Sequence, residues 1–269
     1  MIRHKWTRIN TKFIRIRDSY KMELFEVNVT KEQLKSIPET EQIFFILLTH
    51  MANILYTLRK LTLFCAATRE ESNKIARRAE NSQTLFMVRL TAGYLWEGWK
   101  LLDKNYFGLC ISKDYDNLLS DDANKCIKDM KRYFRNENNV KTIRNNFAFH
   151  IFQETPELIS KFIEKETTEK YSLYFNEYAG LCFYELPDTL INNAILRLVK
   201  GETDWERLEN LEKEVGGTAH KYLVFANEFV SQFGKKYLLS LNPHKIDIPE
   251  PPKMDEIKIP YFVLQNEKK

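Results

Sequence analysis

Downstream of Pro38, the residues Phe44, Leu47, Met51, Ile54, Leu58, Leu61 and Cys65 recur at three- and four-residue spacing with no Gly or Pro among them. That period follows one face of an α-helix and predicts a single long helix. A second series, Leu85, Val88, Ala92, Leu95, Trp99, Leu102 and Tyr106, follows a polar, helix-prone stretch over 70–80 and closes near Asn105 and Gly108. Two long helices with a short connection are expected to pack antiparallel as a hairpin, with both apolar stripes in the core. Ser120, ahead of Asp121 and Asp122, reads as the N-cap of a third helix through about Arg135. The run 136–139 then breaks the pattern before a further helical stretch from about Val140 into Phe152.

Beyond the middle of the chain, 160–169 reads as helix and 171–175 as a short strand. Three more helices are expected over 188–200, 204–215 and 218–241, punctuated by Gly201 and by Gly216-Gly217. Near the N-terminus, Phe13, Ile14 and Ile16, then Leu24, Phe25, Val27 and Val29, alternate in places and predict one or two short strands or an irregular arm. From Pro243 onward, Pro249, Pro251, Pro252 and Pro260 argue against regular structure and predict an extended tail. The fold class is therefore mostly α, an antiparallel helical bundle with short strand or irregular elements at the N-terminus and near 171–184. It divides into an arm over 1–37, a helical domain over 38–242 and a Pro-rich tail over 243–269.

Composition is consistent with this. A chain of 269 residues, 43% hydrophobic and 13% aromatic, fills a sizeable core, and wholesale disorder is excluded. The longest apolar run, 43–48, is far short of the ~20 residues a membrane-spanning helix needs, and the chain is charged from Arg3 onward with no signal-peptide core. No membrane association and a cytoplasmic location are expected. Cys65, Cys110, Cys126 and Cys182 are widely spaced, form no C-x-x-C pair and have no adjoining His, so no metal site and no cofactor are expected. The net charge of +4 is segregated along the chain: Arg3, Lys5, Arg8, Lys12, Arg15 and Arg17 face only Asp18, whereas 154–214 is acidic. A basic arm suits a polyanionic ligand, and it equally suits a solvated tail.

Motifs for phosphate-cradling loops, zinc proteases and serine hydrolases are absent, and 8 Gly leave little material for such loops. Five His remain, at positions 4, 50, 150, 220 and 244. His50 reads as a surface or packed helix residue, and His220 falls in the first turn of the last expected helix. His150 has different surroundings, because Arg144, Asn145 and Asn146 precede it by six, five and four residues on a segment otherwise made of Ile143, Phe147, Phe149, Ile151 and Phe152. Metal-free RNA cleavage needs a base near neutrality for the 2′-OH, an acid for the departing 5′-oxygen, and a fixed cation on the phosphate. A histidine and an arginine supply those groups. On a continuous helix, residues six apart lie ~120° apart and ~9 Å along the axis, so Arg144 is expected at or before a helix start, capped by Asn145 or Asn146.

Arg144-Asn145 followed by Phe149-His150, with five residues between the Arg and the His, two long helices upstream and Glu97 in the second, resembles the HEPN superfamily. Its closest likeness is to the members found in abortive-infection and toxin–antitoxin systems, and it covers about 40–155. The resemblance implies a HEPN-like bundle whose R-x4-6-H motif cleaves RNA as a homodimer. It also implies a role as toxin or anti-phage effector, with an antitoxin or defence-system partner. Arg144 would hold the phosphate, His150 would do acid–base work and Asn145 would position one of them, with Glu97 and Asn146 in support. Lys128, Lys131, Arg132, Arg135 and Lys141, together with Arg3, Lys5 and Arg8, would bind RNA, while Phe147, Phe149 and Phe152 would bury the dimer seam. The same residues admit a structural reading, in which Asn145 and Asn146 cap a helix, Arg144 pairs with an acid such as Glu97, and His150 is a satisfied core residue. The protein would then be a non-catalytic helical module that binds RNA, a nucleotide or a partner protein. Departing from nucleotidylated HEPN toxins, Ile151, Phe152 and Gln153 follow the His where those often carry a Tyr.

The arm generates a prediction. If its six basic residues contact RNA, deleting 1–17 weakens binding and flattens the dependence of affinity on salt, because fewer counterions are released. An unchanged slope in a salt titration would assign the arm to another role.

Overall fold

The computed structural model describes residues 24–66, 73–149, 155–165, 171–178, 181–238 and 244–263, apart from 248, 254–255 and 258. In chain order these form strand β1 (Leu24–Glu26), α1 (Lys31–Lys35), α2 (Glu39–Ala66), α3 (Lys74–Asn105), α4 (Cys110–Tyr115), α5 (Asp121–Arg135) and α6 (Asn139–Ile143). A π-helical turn (Arg144–Ala148), α7 (Thr155–Lys165), α8 (Glu185–Leu198), α9 (Asp204–Tyr237) and strand β2 (His244–Ile246) follow. The protein is mostly α-helical.

Helices α2 and α3 form the expected antiparallel hairpin. Phe44 near the start of α2 stacks on Tyr106 just past the end of α3, with ring centroids 5.5 Å apart, and Met51 packs at Gly98. Helix α9 completes this side: Phe229 meets Phe44 edge-on at 5.0 Å and Phe233 stacks on Phe45 at 4.0 Å. Helix α5, capped by Ser120 whose side chain accepts from the Ala123 N–H, lays Ile127, Met130 and Phe134 into the same core. Phe134 stacks against Trp99 at 4.7 Å. At one end Glu41, buried, accepts from the Tyr115 hydroxyl at 2.8 Å and from Lys236 Nζ at 3.1 Å, so α2, α4 and α9 share one satisfied polar cluster.

Four expectations change. Residues 204–237 are one helix rather than two, running straight through Gly216-Gly217. A Cβ at either glycine would meet nothing within 4 Å, so neither serves a close approach. Burial of Val215, Thr218, Ala219 and Tyr222 on either side outweighs a helix-propensity cost of about 1 kcal/mol per Gly. His220 consequently sits in mid-helix, not in a first turn. The C-terminal segment is extended but not free: His244–Ile246 pairs antiparallel with Leu24–Glu26, and Tyr261 packs edge-on against Phe183 at 5.2 Å. The strand expected at 171–175 is a single bridge, Tyr174 with Phe183.

Helix α2 contains the short apolar run 43–48. Its 28 residues are long and apolar enough to cross a membrane by length and composition, and 33% of its most apolar window is buried. Ile43, Ile46 and Leu47 are exposed on its outer side, while Phe44, Leu48, Ala52 and Leu55 face the bundle.

Gly216→Ala and Gly217→Ala are expected to stabilise the protein by about 0.5–1 kcal/mol each, because the added methyl costs no clash and restricts the unfolded chain. Urea unfolding measures this, and a lowered midpoint would show that the glycines serve a contact or bend.

Candidate functional site

The segment carrying Arg144 is anchored before it reaches the arginine. Asn138 caps α6, its side chain accepting from the Lys141 N–H at 2.8 Å. The next residue, Asn139, donates to Glu214 of α9 through its backbone N–H at 3.2 Å and its Nδ2 at 2.7 Å, and the Tyr133 hydroxyl of α5 donates to the same carboxylate. Burial and that hydrogen bond push the Tyr133 phenol up, so it remains a donor. Val140, Ile143 and Phe147 then face the core. Arg144 begins the π turn, in which its carbonyl accepts from the Phe149 N–H at 3.3 Å, five residues on. Such wide turns are rare and concentrate at functional sites.

The guanidinium points to α3. Arg144 Nε donates to Glu97 Oε1 at 2.9 Å, Nη2 lies 2.7 Å from the same oxygen in an ion pair, and Nη1 donates to Asn145 Oδ1 at 3.1 Å. The side chains are 17% and 34% exposed, so the pair sits at the edge of the interior rather than in open solvent. Lys100, one turn on, places Nζ 3.8 Å from Glu97 Oε2. Two cations thus share one carboxylate, and the fork keeps N–H groups free of partners among the described residues for a further acceptor. Beside them Phe149 lies on α3 at Gly93, where a Cβ would come within 2.9 Å of its ring, and meets Tyr94 edge-on at 5.2 Å.

This arrangement corrects the expected start of the helix. Asn138, not Asn145 or Asn146, is the cap, so Arg144 lies beyond the first turn; Asn145 instead holds the guanidinium and Asn146 is buried. The pairing of Arg144 with Glu97 is present and joins two separate elements, while the pair within α3 is Glu97 with Lys100. Phe147 is unsuited to a dimer seam because it is already buried in its own bundle, whereas Phe149 is 38% exposed. His150 and Phe152 lie outside the described residues, as do Arg3, Lys5 and Arg8.

Of the expected RNA-binding residues, Lys141 stands nearest, with Nζ 6.0 Å from the Trp96 ring and 3.8 Å from Glu137. Arg135 ends α5 beside Phe134, which packs on Trp96 and Trp99 on either side of Glu97. Lys128 is exposed farther back along α5. Lys131 lies over the Phe107 ring at 3.8 Å, and Arg132 reaches Asp129 at 3.9 Å. Lys100, Gly93 and Arg89 were missed from sequence, although they fall three residues after, four before and eight before Glu97 on one helical face.

No protein-family model, no curated protein and no solved structure matches the chain.

Glu97→Gln and Arg144→Gln, singly and together, are expected to show a coupling of about 1 kcal/mol in a double-mutant unfolding cycle, the size of a partly exposed, well-oriented pair. Additive effects would mean that the two side chains do not hold each other.

Proposed function

We propose that the protein is a HEPN-type, metal-independent endoribonuclease that acts as a homodimer, in the cytoplasm, as a toxin or anti-phage effector. The observation that carries this reading is the fixed arginine: a guanidinium held by Glu97 and Asn145 on a π turn, with part of its fork open. Ordering such a cation before substrate arrives is what stabilises charge building on a phosphate in the transition state. In this reading Arg144 holds the scissile phosphate, Asn145 and Glu97 position its fork, and His150 takes the proton from the 2′-OH. The 2′-oxygen attacks phosphorus, the bond to the 5′-oxygen breaks, and a proton returned to that oxygen leaves a 2′,3′-cyclic phosphate and a 5′-OH. A second His150 across a two-fold axis supplies that proton, since base and acid stand on opposite sides of the phosphate. RNA is the substrate, and an antitoxin or other defence-system protein is the natural partner of a toxic nuclease.

A non-catalytic helical module is the second reading, and the Arg144–Glu97 pair favours it equally where it merely fastens the π turn to α3.

Incubation with single-stranded RNA in EDTA separates them. The wild type is expected to cleave, and Arg144→Ala and His150→Ala to lose about 10²-fold or more in rate while remaining folded, with growth inhibition lost in parallel. Equal cleavage by all three proteins, or none by the wild type, would remove the ribonuclease assignment. A strictly monomeric protein that still cleaves would remove the paired site alone.

A further inference from the structure

Phe86, Arg89, Gly93, Glu97 and Lys100 follow one another at spacings of three and four and share one face of α3; Phe86 and Glu97 are about 16 Å apart along the axis. Among the described residues, two elements lie against this face. Toward the N-terminal end α8 covers it, with Arg78 paired to Glu185 at 2.8 Å and Ser82 hydrogen-bonded by Asn192 at 3.5 Å. Toward the C-terminal end the π turn covers it, with Phe149 on Gly93 and Arg144 on Glu97. Phe86 and Arg89 fall in the interval between these two coverings. Phe86 is 43% exposed, and the Arg89 guanidinium carbon sits 5.3 Å from its ring centroid.

Arg89 is poorly compensated. Its Nε is buried with no hydrogen-bond partner, and no carboxylate forms an ion pair with it among the described residues. The carboxylate that acts on it is Asp188, which is itself engaged by Ser82 and pushed up by burial. Burial also disfavours the charged form of Arg89, yet a guanidinium keeps its proton. A partly desolvated cation without a matched anion is costly, and a phosphate that reaches the outer nitrogens of the guanidinium lowers that cost. Stacking on Phe86 accounts for the direction of the side chain but leaves Nε unserved.

We propose that this interval is a binding groove for single-stranded RNA leading to Arg144, with Arg89 on a backbone phosphate and with Phe86 and Phe149 stacking bases on either side. The proposal rests on the ribonuclease reading above and names how that site takes its substrate. Exposed aromatics alternating with a cation are the signature of single-strand binding, because bases can stack only when they are unpaired. A duplex keeps its bases inside and offers nothing to Phe86 or Phe149.

The test is fluorescence anisotropy of a labelled single-stranded RNA with 2′-O-methyl sugars, which cannot be cleaved, over a salt series. Phe86→Ala is expected to weaken binding about tenfold. Arg89→Gln is expected to weaken it and to lower the salt slope by about 0.7, the share of one phosphate on a single strand, while Arg89→Lys keeps the slope. A duplex of the same sequence is expected to bind more weakly. Thermal melts check folding; the exposed Phe86 leaves the core untouched when truncated, so that variant and the comparison with the duplex decide the matter if Arg89→Gln unfolds. Wild-type affinity in Phe86→Ala with wild-type affinity and slope in Arg89→Gln, or equal affinity for the duplex, would overturn the groove. If Arg144→Ala still abolished cleavage, the ribonuclease reading would stand without it. Absence of any RNA binding and cleavage by the wild type would overturn both.

Discussion

Tyr222 of α9 and Met51 of α2 both lie against Gly98 of α3, so closely that a Cβ there would come within 3.0 Å of the tyrosine ring and 3.1 Å of the methionine. A methyl group there would push these neighbours by a few tenths of an ångström, so the three helices meet at close range at that point. Gly93, five residues earlier and about 140° around the helix, performs the same service for Phe149. Helix α3 is therefore approached from two sides at contact distance. One side is the aromatic core formed with α2, α5 and α9; the other is the seat of the π turn. The position of Arg144 is inherited from both.

The polar anchors act at the two ends of the same short segment. Glu214 fastens the beginning of α6 through Asn139, and Glu97 fastens the arginine that follows it. Each carboxylate is satisfied by more than one donor, which suits partly buried charges. Between the anchors, Val140, Ile143 and Phe147 bury the inner face. An arginine on a surface helix samples many rotamers, and ordering it costs entropy when a ligand binds. Here that entropy is lost in folding, because Glu97 and Asn145 hold the guanidinium.

Much of this was legible in the residues alone, and the reason is that the decisive signals were local. The two long helices, the stripe from Leu85 to Tyr106 and the cap at Ser120 follow from helical period and capping chemistry, which depend on neighbours a few residues away, whereas the buried face of α2 takes Leu48, Ala52 and Leu55 in place of the expected Leu47, Met51 and Ile54. Arg144 also stood out as a polar group in apolar company, and Glu97 as the acid in the second long helix. The face of α3 that carries Arg89, Gly93 and Lys100 was readable by the same period, but nothing in the sequence marked which face the π turn would meet.

What only the tertiary structure decided involves partners distant in sequence. Helix α9 continues through Gly216-Gly217 because side chains on both sides of the pair are buried against other helices, a gain that local propensity does not contain. Leu24–Glu26 finds His244–Ile246 from the opposite end of the chain, and a strand register exists only once both segments are in place. Phe147 enters the core and Phe149 lies on Gly93 because a π turn separates them. Local sequence determined where helices form and which residues were polar exceptions on them. Packing determined which faces meet, because the contact energies that select one pairing arise only between surfaces brought together by the whole fold.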